Sequence, residues 1–200
     1  PGSITVLSGF DTLTSSPFAC QCSSKGKRDA YAIASMSKWI ESLGHKRIIL
    51  RCDKEHHIQM VATDVRKQCS TDIIIQGIPE DSHASMGSGE AVHRWLAGQF
   101  RAVKQSLEEK WNAKITMSDM IIPWLLKFIP WIRRRHHILA NGMTSYQMVT
   151  GMSYSGEILE FGELCQARLP PSKQSGKFHS PWLEGTWVGK SDLTDEHLVM

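Results

Sequence analysis

Two hundred residues, 41% of them apolar, suit one medium domain with a real core and room for a small appendage. The 23 basic and 20 acidic side chains leave a net charge of +3, which by itself names no partner. No apolar run reaches the roughly 18 residues of a membrane-spanning helix, and nothing at the start reads as a signal peptide. In chain order, Ile4 to Phe10 reads as a strand and Pro17 to Cys22 as its return, joined by the turn-forming Asp11-Thr12-Leu13-Thr14-Ser15-Ser16. A loop at Ser23–Lys27 follows, and Asp29 is placed to cap a helix whose Ile33, Met36, Ile40 and Leu43 share one face, with Trp39 beside them. Gly44 supplies a left-handed stop. Lys46 to Cys52 and Thr71 to Ile78 read as strands buried on both faces, with a helix at Ile58 to Gln68 between them. The alternation argues for an α/β sheet.

A polar loop, Pro79 to Gly89, then delivers Glu90 to the start of the best helix of the chain, Glu90 to Trp111. Val92, Trp95, Leu96, Phe100, Val103, Leu107 and Trp111 form its apolar stripe. At 100° per residue, Arg94, Arg101 and Lys104 fall on the side of Glu90, and Ala97 leaves room between them. Asn112-Ala113-Lys114 breaks the helix. Pro123 suits the first turn of the next one, which carries Trp124, Leu125, Phe128, Ile129, Trp131 and Ile132 and ends in Arg133-Arg134-Arg135-His136-His137. Pro130 is expected to kink it, at about 3 kcal/mol. Residues 1–143 read as one core. Residues 144–200 read as a β-rich extension, with strands at Phe161–Leu169 and Trp182–Val188 and a basic loop at Pro170–Lys177.

Asp53 closes a strand and Glu90 opens a helix. Phosphoryl transfer by two metal ions needs carboxylates that converge on ions about 4 Å apart, and strand ends and helix starts are rigid supports for them. Residues 91–137 hold nine Lys and Arg against three Asp and Glu, an imbalance that fits phosphate contacts. The plainer readings are a turn aspartate, a first-turn glutamate favoured by the helix dipole, and a solvated basic face. Arg133-Arg134-Arg135 fits either a nucleic-acid patch or the cationic end of a helix. The tryptophans and Phe100 read as core. Neighbouring histidines at 56–57 and 136–137 point apart on a helix and do not make one metal site. Cys20, Cys22, Cys52, Cys69 and Cys165 are odd in number and read as free thiols of a reducing compartment.

The ordered motifs resemble the catalytic core of copia-type retrotransposon integrases, within the retroviral integrase superfamily. They are Leu50-Arg51-Cys52-Asp53-Lys54-Glu55; Ser85-Met86-Gly87-Ser88-Gly89-Glu90; Pro123-Trp124-Leu125; Gly142-Met143-Thr144-Ser145-Tyr146 with Gly151; Phe161-Gly162-Glu163; and Trp182-Leu183-Glu184-Gly185-Thr186-Trp187-Val188-Gly189. The resemblance implies an RNase H-like mixed sheet flanked by helices and a two-aspartate, one-glutamate site for Mg²⁺ or Mn²⁺. It implies 3′-end processing and strand transfer on DNA, with transposon ends and target as partners, a homo-oligomer, and a nuclear setting. Asp53 matches the second aspartate, Glu90 the glutamate, and Arg94 a position that contacts the transposon end. Arg101 and Lys104 extend that basic face.

The departures are specific. The first aspartate of the family sits on a strand preceding Ile4–Phe10, and that strand is not in these 200 residues. It is the central strand of the fold, so Ile4–Phe10 and Lys46–Cys52 are expected to lack a shared neighbour, and the chain, opening on Pro1, is read as a piece of a longer polyprotein. Asp11 matches a turn position and is not a ligand. Lys54 replaces a glycine and is placed to pair with Asp53. Met86 and Ser145 replace an asparagine and a proline. Two further readings stand beside the enzyme: an inactive integrase relic that keeps nucleic-acid binding, and a more distant RNase H-like nuclease.

Overall fold

The computed structural model describes residues 3–23, 29–77, 83–170 and 180–200, and of residues 83–88 the backbone alone. The expected loops at 24–27, 79–82 and 171–177 lie outside the described residues, as does Ile78. The chain is mixed α/β, with five helices and three small sheets among these residues.

β1 (Thr5–Asp11) and β2 (Ser16–Cys22) form the expected hairpin, in register from Thr5–Cys22 to Asp11–Ser16. The turn closes on the Asp11 carboxylate, which accepts from the Thr14 amide at 2.9 Å and from the Thr14 hydroxyl. Strand alternation gives this sheet two apolar faces. Leu7, Phe18 and Cys20 face one cluster, while Ile4, Val6 and Ala19 face another.

α1 (Ala30–Ser42) lies under the first face. Asp29 caps it, accepting from the Ala32 amide at 3.0 Å, and Gly44 takes φ 73° just beyond its end. Trp39 stacks on Phe18 with ring centroids 5.3 Å apart, and its ring packs so closely on Gly9 that a Cβ there would stand 3.0 Å from it. α2 (His56–Gln68) packs beside α1 through the fully buried Val65.

β3 (Arg47–Cys52) and β4 (Asp72–Gly77) pair in parallel, joined through α2. They are not buried on both faces. Ile48, Leu50, Ile73 and Ile75 face the same cluster as α1, but the cross-strand pair Ile49 and Ile74 is 57% and 49% exposed. The helices α1 and α2 cover one side of this pair only, so its run of isoleucines is a half-covered strand despite its composition.

α3 (His83–Trp111) begins earlier than expected, so Glu90 stands about two turns inside it, not at its start. Gly87 and Gly89 continue the helix although each lowers its stability by about 1 kcal/mol. Leu96, Phe100 and Leu107 from α3 join Ile121, Ile122, Leu125, Leu126 and Ile129 of α4 (Ile121–His136) in the second cluster. Pro130 stays inside α4 and is buried. Trp95, Phe100, Trp111, Trp124 and Trp131 all pack in or against the core, as expected.

Residues 144–200 open with a short helix absent from the sequence reading, α5 (Ser145–Thr150). Thr144 and Gln147 make a reciprocal capping box, and Gly151 ends the helix at φ 76°. β5 (Leu164–Arg168), β6 (Trp182–Lys190) and β7 (His197–Val199) then form an antiparallel sheet in that order. This segment shares the second cluster with the preceding helices: Phe161 stacks on Phe128 at 4.8 Å, and Trp187 meets Phe128 edge-on at 5.8 Å. No helix among the described residues is long and apolar enough to cross a membrane.

Candidate active site and nucleic-acid face

Asp53 leaves the carboxyl end of β3 with an exposed side chain. Its backbone carbonyl is held by Gln59 Nε2 at 2.9 Å, so α2 anchors the turn while the carboxylate stays free of hydrogen bonds and ion pairs among the described residues. The thiol of Cys52 just before it is pushed up, first by burial and then by the Asp53 charge. Lys54 makes no ion pair with Asp53; its stem lies against Gly77 of β4.

Glu90 is likewise exposed, with no hydrogen bond or ion pair from its side chain among the described residues. One turn further along α3, His93 Nε2 lies 2.7 Å from Ser8 Oγ on β1, which pins this stretch of the helix to the first sheet. Arg94 and Arg101 are exposed, with no carboxylate in reach among the described residues. Lys104 differs from them. Its Nζ binds Glu108 Oε1 at 2.7 Å, and the same oxygen accepts from the Ile115 amide at 2.9 Å. The Lys104 and Ile115 bonds, in that order, hold the Glu108 carboxyl below its usual range. Lys104 thus belongs to the clasp that turns the chain after α3.

Asp53 thus stands at the end of β3, while Glu90 lies one turn before the point where α3 is tied to β1, and no hydrogen bond or ion pair joins the two carboxylates. At the junction of the two sheets His45 Nε2, just before β3, meets Asp11 Oδ2 at the end of β1 at 3.2 Å. Among the described residues no three His, Cys, Asp or Glu side chains come together as a metal shell. Asp53 and Glu90 are free to ligate a hard cation that keeps most of its waters. The His56–His57 rings meet edge-on at 5.8 Å centroid separation, and His136 and His137 are both held below the usual imidazole range, first by burial and then by neighbouring arginines.

The arginine run at the end of α4 is neither an open patch nor a solvated helix end. Arg134 and Arg135 are only 8% and 6% exposed, and both reach Asp192, at 3.7 and 3.1 Å. Arg135 also lies over the rings of Trp131, Tyr146 and Tyr154. The Arg133 guanidinium lies over the ring of Trp95 of α3, 4.4 Å from its centre. None of these partners is visible from local sequence.

The motif residues divide by role. Gly142, Gly151, Gly162 and Gly189 adopt positive φ. Thr144 caps a helix, and Leu125, Phe161 and Trp187 are buried. Asp53, Glu90, Arg94 and Arg101 have no side-chain hydrogen bond or ion pair among the described residues. No protein-family model matches this chain, and no curated protein matches it.

Proposed function

We propose that the chain is the greater part of a copia-type integrase core, an RNase H-like domain that carries out metal-dependent phosphoryl transfer on DNA. One observation carries this reading. β1–β2 and β3–β4 lie on the same α1 and α2 layer, through one apolar cluster, yet are not hydrogen-bonded to each other. The Asp11–His45 contact brings the end of β1 near the start of β3, which fits two strands running in opposite senses on either side of a gap. A strand entering between them, parallel to β3 and antiparallel to β1, would unite the four into a mixed five-stranded sheet. It would also satisfy the main-chain groups on both edges.

That strand, from outside these 200 residues, would supply a third carboxylate beside Asp53. Asp53, Glu90 and that group would hold Mg²⁺ or Mn²⁺, whose chemistry is to activate the attacking oxygen and offset charge on the phosphodiester. The chain's own residues position: Gln59 steadies the Asp53 turn, His93 and Ser8 steady the Glu90 turn, and Arg94 and Arg101 bind the DNA backbone. The partners are transposon ends and target DNA.

The test is Mg²⁺-dependent strand transfer by the complete protein, set against Asp53→Asn and Glu90→Gln. Loss of at least a hundredfold in both, with DNA affinity kept, is expected. Equal activity in either variant would remove that carboxylate from catalysis and favour an inactive domain that only binds nucleic acid.

A further inference from the structure

Of the nine basic residues between 91 and 137, five have a carboxylate partner. Lys104 and Lys114 share Glu108, Lys110 binds Glu160, and Arg134 and Arg135 share Asp192. Arg94, Arg101, Lys127 and Arg133 have none among the described residues. Lys127 is exposed above Tyr31 and Trp124. Arg133 is different, because it is half-buried and still lacks an anion. Burial holds its guanidinium below the usual arginine range, and among the described residues its guanidinium makes no hydrogen bond. A partly desolvated cation without a counter-ion is costly unless an anion arrives.

The cation–π contact with Trp95 holds the guanidinium over the ring, and its N–H groups make no hydrogen bond among the described residues. A guanidinium edge suits two oxygens of one phosphate. Trp95 follows Arg94 about 100° round α3, so Arg133 of α4 sits at the flank of that basic face. We infer that Arg133, held against Trp95, contacts the DNA backbone together with Arg94 and Arg101, in the role that sequence spacing gave to Lys104. This rests on the DNA reading above.

The experiment is fluorescence anisotropy of the complete protein on a labelled duplex across a salt series, with melting temperature measured in parallel. For Arg133→Gln the slope of log affinity against log salt should fall in magnitude by about 0.9, the share of one phosphate contact. Arg133→Lys should keep the slope but bind severalfold more weakly, since an ammonium cannot stack flat or grip two oxygens. Lys104→Gln should leave the slope unchanged. An unchanged slope in Arg133→Gln, with or without a lower melting temperature, overturns the inference but leaves DNA binding standing. A parent chain with no salt-dependent binding overturns the DNA reading and this inference together.

Discussion

Asp11 joins the two halves of the proposed sheet, and removing it tests that joint. In Asp11→Ala, the buried Thr14 loses the acceptor of both its amide and its hydroxyl, and His45 loses its hydrogen-bond partner across the junction. A buried donor left unpaired costs about 1–3 kcal/mol. With two such donors, and a half-buried carboxylate that lets some water in, the loss is about 3 kcal/mol. At about 2–4 °C per kcal/mol for a chain of this size, the melting temperature should fall by about 6–12 °C. Asp11→Asn keeps one acceptor oxygen and should lose only about 1 kcal/mol. The pH dependence has a definite sign. Burial pushes the Asp11 carboxyl up, but the Thr14 hydroxyl and amide and His45 outweigh it, so it titrates below its usual value. Stability from a depressed carboxyl is present above its unfolded pKa of about 3.9 and is lost as pH falls through the folded value. Wild type should therefore exceed Asp11→Asn at neutral pH, and the gap should close in the acid range below about pH 4. Circular dichroism melts of the three proteins across pH decide it. If Asp11→Ala melts within about 1 °C of wild type, or if the gap persists unchanged at low pH, the joint is not where the structure puts it.

Asp192→Asn leaves two buried guanidiniums without their carboxylate. Removing one partner costs about 3–5 kcal/mol in a fully buried pair and about 0–1 at the surface. Asp192 is 57% exposed, so about 2 kcal/mol is expected, against about 0.5 or less for Glu160→Gln at the open Lys110 pair; equal urea midpoints for the two variants would contradict this. Gly44 and Gly162 share a positive φ, but a Cβ at Gly44 meets nothing within 4 Å, whereas at Gly162 it collides with Leu107. Gly44→Ala should cost about 1 kcal/mol, and Gly162→Ala about 2 kcal/mol more; chemical denaturation that ranks them the other way refutes the packing at Gly162.

Local chemistry made much of the chain legible. The hairpin, the Asp29 cap, the Gly44 stop and the apolar stripes of α3 and α4 stand where periodicity and turn residues put them. α5 was missed, though Thr144 and Gln147 carry the capping-box spacing, because a six-residue helix leaves no readable period. The start of α3 was misread for a related reason. Gly87 and Gly89 favour a loop by propensity, yet the helix runs through them. Asp53 and Glu90 were chosen from motif order, and their freedom from structural partners is what the fold adds.

Sequence alone determined most of the strands and the longer helices and the apolar stripes of α1, α3 and α4, since side-chain period and caps act within a few residues. Only tertiary structure decided which faces are covered. The isoleucines of β3 and β4 look doubly buried in the chain and are covered on one side, because burial depends on which element arrives opposite. The basic residues were sorted the same way. Asp192 lies 57 positions from Arg135, and Glu160 lies 50 from Lys110. An ion pair forms where chain segments meet in space, and no local pattern records that meeting.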